Sequence, residues 1–210
     1  MEKKELDITA REKILGSARK VFIRDGFNGA RMQDIADEAG INKALLHYYY
    51  RNKESLFDLV FNDAFAEFIP KMQAIFSGSG TVMEKIEKYV GAHLALLTSR
   101  PDLPMFVLNE IHRNPERFFE NFMGKMNGEP PFVSFLQQVK IEMIEGKIRS
   151  MDPRDLWMNI MSMTIFPFIS RPMLQRLTAI NDHDFNEIMQ QRKDTIITFI
   201  RQAIVLPASN

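Results

Sequence analysis

The sequence predicts an all-α fold. Three observations carry that prediction: apolar residues recur at steps of three and four along most of the 210 residues, glycine and proline mostly punctuate those stretches, and strand-like alternation is nearly absent. The chain divides into a small three-helix N-terminal domain, residues 1–53, and a larger helical C-terminal domain, residues 54–210. With 45% hydrophobic residues it has enough apolar side chains for two cores.

The first helix is expected over Arg11–Phe22, with Ile14, Ala18, Val21 and Phe22 on one face, a Thr9-x-x-Glu12 capping box at its start and Gly26 at its end. A second, short helix carries Met32, Ile35, Ala36 and Ala39 and stops at Gly40, which takes a left-handed conformation without a Cβ penalty. Ile41 then plugs the core, Asn42 caps, and Lys43–Tyr50 forms a third helix. Its inward side is Leu46 with one or two of the tyrosines, Tyr50 among them. Its outward side is Lys43, Ala44, His47 and Tyr48. The helix-turn-helix therefore spans about residues 31–50, and small Ala44 keeps the third helix slim enough to enter a major groove. Two helices around a glycine also occur in all-α proteins that never meet DNA, so the surrounding pattern has to decide.

That surrounding pattern resembles a known family. Phe22, Gly26-Phe27, Asp34-Ile35-Ala36, Ala39-Gly40, Leu46-His47-Tyr48-Tyr49-Tyr50 and Asn52-Lys53-Glu54-Ser55-Leu56 look like the N-terminal domain of the tetracycline-repressor-like (TetR) family of bacterial transcription regulators. The resemblance covers roughly the first quarter of the chain. Two departures are His47, where the family usually has tyrosine, and Ala30 or Arg31, where it often has Thr or Ser. The resemblance implies a helix-turn-helix DNA-binding domain followed by a helical ligand-binding and dimerisation domain. It further implies that Gln33, Lys43, Ala44, His47 and Tyr48 lie at or near base edges, and that Arg31, Tyr49 and Lys53 hold phosphates. The chemistry is compatible: Gln pairs with adenine, Lys donates to guanine, and an alanine methyl meets that of thymine. Tyr48 and Tyr49 stay open between groove contact and packing.

Formal net charge is zero, from 27 basic and 27 acidic residues. The balance is uneven: between Arg11 and Lys53 nine basic residues face five acidic ones, so the basic surplus sits on the helix-turn-helix segment. A surplus this modest calls for two copies of the reader and a steep salt dependence. Without cysteine, disulfides, thiolate metal sites and cysteine catalysis are excluded. The charged start MEKKELDITARE is no signal peptide and no apolar run spans a bilayer, so a cytoplasmic location away from membranes is expected. No Glu or Asp stands three residues before a histidine, as a di-iron bundle needs, and no phosphate loop or nucleophile motif occurs. The reading is no enzyme, no metal and no cofactor.

In the second domain one long helix is expected from about Lys53 to the Ser77-Gly78-Ser79-Gly80 loop, carrying Leu56, Leu59, Val60, Ala64 and Phe68. Further helices follow: Thr81 to Leu97, ending before Arg100-Pro101; Met105–Arg113; Arg117–Met123, before Gly128-Glu129-Pro130-Pro131; and Phe132–Glu145. Asp152-Pro153 caps and starts another, Leu156–Phe166, which is apolar on nearly every side and should kink at Pro167. The last helix shows Phe185, Met189, Ile196, Phe199 and Ala203 in a stripe that suits either packing on a symmetry mate or an ordinary intramolecular seam. A two-fold partner is what a palindromic operator in double-stranded DNA would need.

The 14 Met and 17 Phe fit a pocket for an apolar or amphipathic small molecule as well as a plain core. Candidate ligand residues are His93, Trp157 and Met161, with Asn109 and Thr164 as orienting groups. The expected function is a homodimeric repressor released from DNA by a small apolar inducer. A repressor or architectural protein that takes no ligand is the alternative, ahead of an all-α enzyme.

Overall fold

The computed structural model describes residues 2–124 and 130–206, with side chains from Thr9 onward. The expected Gly128-Glu129 break lies outside those residues. Twelve helices account for nearly all of the described backbone, and the sole β-like contact is an isolated antiparallel bridge between Ile148 and Val205. No helix among the described residues is long and apolar enough to cross a membrane.

The helices sort into two compact units. The first holds α1 (Glu2–Gly29), α2 (Met32–Ala39), α3 (Lys43–Tyr49), α4 (Lys53–Phe65), α7 (Leu103–Arg113) from Met105 onward and α8 (Pro115–Met123). The second holds α5 (Phe68–Ser77), α6 (Val82–Ser99), α9 (Pro131–Ile144), α10 (Pro153–Ile169), α11 (Arg171–Thr178) and α12 (Asp182–Ile204). These units do not coincide with a division at residues 53 and 54, because α4 packs on α1 and distant α7–α8 joins it there.

Three elements differ from expectation. α1 begins at Glu2, so Thr9 lies inside the helix and not at its start. The segment before it, Glu2 to Leu6, contains strong helix formers and no Gly or Pro, so nothing stops the helix short. Gly26 does interrupt it, at φ 68 and ψ 175. The long helix from Lys53 is two helices, broken at Ala66-Glu67. Pro70 accounts for the break: it lacks the N–H that would bond the Ala66 carbonyl, and its ring collides with that carbonyl in a continuous helix. Pro167 lies inside α10, which runs on to Ile169, and a separate α11 opens at Arg171-Pro172.

Other boundaries fall where local chemistry puts them. Thr81 and Glu84 close a capping box at the start of α6, and Asp152 caps α10 through the Arg154 N–H. The first unit's core is Ile14, Ala18, Val21, Phe22, Ile35, Ala36, Leu46, Phe57, Phe61 and Phe106, all at 2% exposure or less. In the second unit α6 is the central helix, burying Ile86, Tyr89, Val90, His93, Leu94 and Leu97 against α5, α9, α10 and α12. α10 is not covered all round, since Met158 and Phe166 stay exposed.

Candidate nucleic-acid interface

The turn between α2 and α3 is built by Gly40, at φ 61 and ψ 37, whose N–H bonds the carbonyls at the end of α2. Ile41 N–H reaches back to Ala36 O at 3.0 Å, closing a C-terminal cap of the Schellman kind. Two residues on, Asn42 Oδ1 accepts from Leu45 N–H at 2.8 Å and starts α3. These two local devices set the angle of α3, and Leu46, fully buried, anchors it on the core with Tyr50 at its end. Burial pushes the Tyr50 hydroxyl above its ordinary pKa, with nearby Arg11 opposing.

Lys43, Ala44, His47 and Tyr48 are all exposed, Tyr48 at 80%. They form one outward face. His47 Nδ1 lies 3.3 Å from the Arg51 carbonyl oxygen. Tyr49 is half-buried, edge-on to Tyr48 at 5.3 Å, with the Arg11 guanidinium 5.7 Å over its ring. On α2, Gln33 is exposed and its amide nitrogen donates to Asp37 Oδ1 at 2.8 Å. Arg31 is exposed at the N-cap of α2 and makes no capping bond, so the first amides of that helix stay open.

Lys53 stands apart from the other seven candidates. It is half-buried, its Nζ donates to Ala30 O at 3.0 Å and sits 4.6 Å over the Phe27 ring. On the same ring the Arg117 guanidinium lies at 3.8 Å, and Arg117 also pairs with Asp58 at 3.1 Å. Phe27 thus meets two cations, and Lys53 ties the start of α4 to Ala30 in the link between α1 and α2.

The segment Ile23–Asn28, just ahead of the helix-turn-helix, is held by α7 and α8. Asn109 Nδ2 donates to Ile23 O at 3.0 Å, Phe27 N–H donates to buried Glu110 at 3.1 Å, Arg113 donates to Asp25 O, and Asn28 and Asn114 meet at 3.4 Å. Asn109 is therefore a backbone clamp in the first unit and does not join the other ligand candidates. Sequence reasoning missed Glu110, Arg113 and Arg117, whose partners lie 59 to 88 residues away with no local pattern to mark them.

The remaining ligand candidates do cluster, inside the second unit. His93 Nδ1 lies 3.1 Å from Thr164 Oγ1, and the His93 ring meets Phe68 and Tyr89 at 5.2 Å each. Tyr89 O–H donates to Met161 Sδ at 3.1 Å, and Trp157 stands 5.0 Å from the Tyr89 ring. Burial holds His93 down to about 4, so its imidazole is neutral at physiological pH.

The dimerisation stripe divides. Phe185, Met189 and Ile196 are buried in their own chain and form the intramolecular seam, whereas Phe199, 65% exposed, and Ala203 face outward with Ile188. Along α10, Met158, Ser162 and Phe166 are exposed at steps of four, and a surface groove there is lined by Ser162, Ile165, Phe166, Ile169 and Arg192. Arg192 donates to Met163 O across α10 and α12.

Comparison with known proteins fits this geometry. The profile of bacterial regulatory proteins of the tetR family matches residues 14–60, which run from α1 into α4. The chain is 24% identical over 203 residues to the transcriptional regulator RutR of Escherichia coli K12, covering 95% of this chain and 94% of RutR. It is 24% identical over 101 residues to the fatty acid metabolism regulator protein of Bacillus subtilis, 48% of this chain, and spans about half (52%) of that relative's length. A Clostridium perfringens structure assigned as a fatty acid metabolism regulator superposes with a TM-score of 0.66 at 20% identity, covering 93% of this chain and 100% of that one. That likeness shows the fold.

Proposed function

We propose that this transcriptional regulator of the TetR family is a homodimeric, ligand-responsive repressor that binds a palindromic operator in double-stranded DNA. The observation that carries the proposal is the outward face of α3: Lys43, Ala44, His47 and Tyr48 are exposed on a helix fixed by Gly40, Asn42 and buried Leu46. Those residues and Gln33 meet base edges in the major groove, while Arg31, Tyr49 and the open amides of α2 hold phosphates. Lys53 contributes charge at the α4 start with an ammonium already bonded to Ala30 O.

Two copies place their α3 helices about one DNA turn, roughly 34 Å, apart. The exposed residues Met158 and Phe166 on α10, and Ile188 and Phe199 on α12, supply apolar surface for the two-fold contact. A small apolar or amphipathic inducer enters among Tyr89, His93, Trp157, Met161 and Thr164. Tyr89 O–H there donates to a thioether, a weak acceptor that a ligand oxygen replaces at a gain. The Bacillus relative's name directs the first trials to fatty acyl compounds. The close ring packing around Tyr89 favours the competing reading, a repressor without a ligand.

Fluorescence anisotropy on a selected operator tests the proposal. Lys43→Ala should relax sequence preference by roughly tenfold at one position per half-site. Unchanged preference would remove α3 as the reader. For the inducer, a compound that raises the melting temperature should also weaken operator binding; stabilisation with operator affinity intact would leave the ligand-free reading standing.

A further inference from the structure

His47 is exposed on the outward face of α3, and its Nδ1 faces the Arg51 carbonyl oxygen at 3.3 Å. A carbonyl oxygen can only accept, so the proton sits on Nδ1 and Nδ1–H donates. The neutral ring then carries a bare lone pair on Nε2, and the protonated ring carries an N–H at the same place. Because the bond to Arg51 is the same in both forms, the ring keeps its position when the second proton arrives. Only the polarity of the outward nitrogen inverts.

The charged and titratable groups around it are Lys43, Tyr48 and Tyr49 on α3, Tyr50 and Arg51 after it, Asp34, Asp37 and Glu38 on α2, and Arg11 and Lys13 on α1. Asp37 accepts from Gln33, Glu38 pairs with Lys20 at 3.1 Å, and Arg11 lies over Tyr49. Among the described residues the Arg51 carbonyl is the one hydrogen-bond partner of the His47 ring. No carboxylate is bonded to Nε2. One turn earlier on the same face stands Ala44, whose short side chain leaves the imidazole room to approach a base edge.

We infer that His47 is a specificity-determining residue whose Nε2 reads one base pair per half-site, with a preference that inverts on protonation. Neutral, it accepts from the exocyclic amine of adenine or cytosine; protonated, it donates to N7 or O6 of guanine. The inference rests on the DNA-reading role proposed above for α3.

The experiment is selection of binding sites by the full-length protein from a random duplex library at about pH 8.5 and about pH 5.5, a span wide enough to change the protonation of an ordinary imidazole. One symmetric position should change from adenine or cytosine to guanine, by roughly tenfold in preference, while its neighbours keep theirs. His47→Gln, whose amide does not titrate over this range, should select the same base at both pH values. The inference is overturned if the wild-type protein selects one base at both, if His47→Gln shows the same change, or if His47→Ala weakens all sequences equally, as a phosphate contact would. Enrichment of no sequence at either pH would instead overturn the DNA-reading role itself, a result distinct from pH-independent enrichment.

Discussion

Gly26→Ala tests how the first unit is held ahead of its helix-turn-helix. Gly26 has φ 68 and ψ 175, a region essentially confined to glycine, where another residue costs about 1–3 kcal/mol. A Cβ there would also come within 2.9 Å of Arg113 Cδ and Cζ. Arg113 is exposed and can swing away, at the loss of its hydrogen bond to Asp25 O, about 0.5–1.5 kcal/mol. The two parts together come to about 1.5–4.5 kcal/mol, or a fall in Tm of roughly 3–18 °C for a chain of this size. Thermal unfolding followed by circular dichroism measures it, in a double-mutant cycle with Arg113→Ala. With Arg113 already truncated, Gly26→Ala should cost only the backbone part. Equal costs in both backgrounds would show that Arg113 does not occupy the space, and a cost below about 0.5 kcal/mol would refute the backbone argument itself.

Asn42→Ala removes the acceptor for Leu45 N–H at the start of α3, and should lower stability by about 1 kcal/mol and weaken operator binding; unchanged Tm and affinity would mean the cap does not set α3. For His93, burial lowers the folded pKa to about 4 from an ordinary 6.5, so between those values the unfolded chain binds a proton that the folded one refuses. Stability is therefore full above about pH 6.5 and falls by about 3 kcal/mol as pH drops towards 4. His93→Gln should flatten that slope in urea titrations across the pH range, and an identical slope in both proteins would assign the loss elsewhere. Phe199→Glu places a charge on the exposed side of α12 and should convert a dimer to monomers in light scattering; a dimer of undiminished strength would exclude this face.

The elements readable in the sequence are those fixed by neighbours a few residues away. Gly40, Asn42, Thr81 and Asp152 each close or open a helix through bonds to residues two to four positions away. The break before α5 was equally local, because Pro70 stands four residues after Ala66, but the apolar spacing running through Leu59, Ala64 and Phe68 masked it. Membership of α7 and α8 in the first unit had no such signal. Asn109, Glu110 and Arg113 recognise backbone groups of Ile23, Phe27 and Asp25, and a backbone group carries no side-chain identity for a sequence pattern to record. The α12 stripe shows the converse limit: periodicity located its apolar side, yet burial inside one chain or against a second produces the same spacing.

Lys43 and Lys53 show where residue type stops being informative within the site itself. Both lie in or beside the helix-turn-helix with a helix N-terminus nearby, and both read as groups for DNA. Lys43 starts a helix on its outward face, where its side chain is exposed. Lys53 starts a helix where Phe27 and the Ala30 carbonyl converge, so its stem is half-buried and its charge bridges α4 to the entry of α2. Arg117 covers the same ring from α8, which links the reader's entry to a helix more than eighty residues further along the chain. On the role proposed for α3, substituting Lys43 should change sequence preference alone, whereas substituting Lys53 should also loosen the scaffold, so a loss of binding in the second case is not by itself a lost phosphate contact.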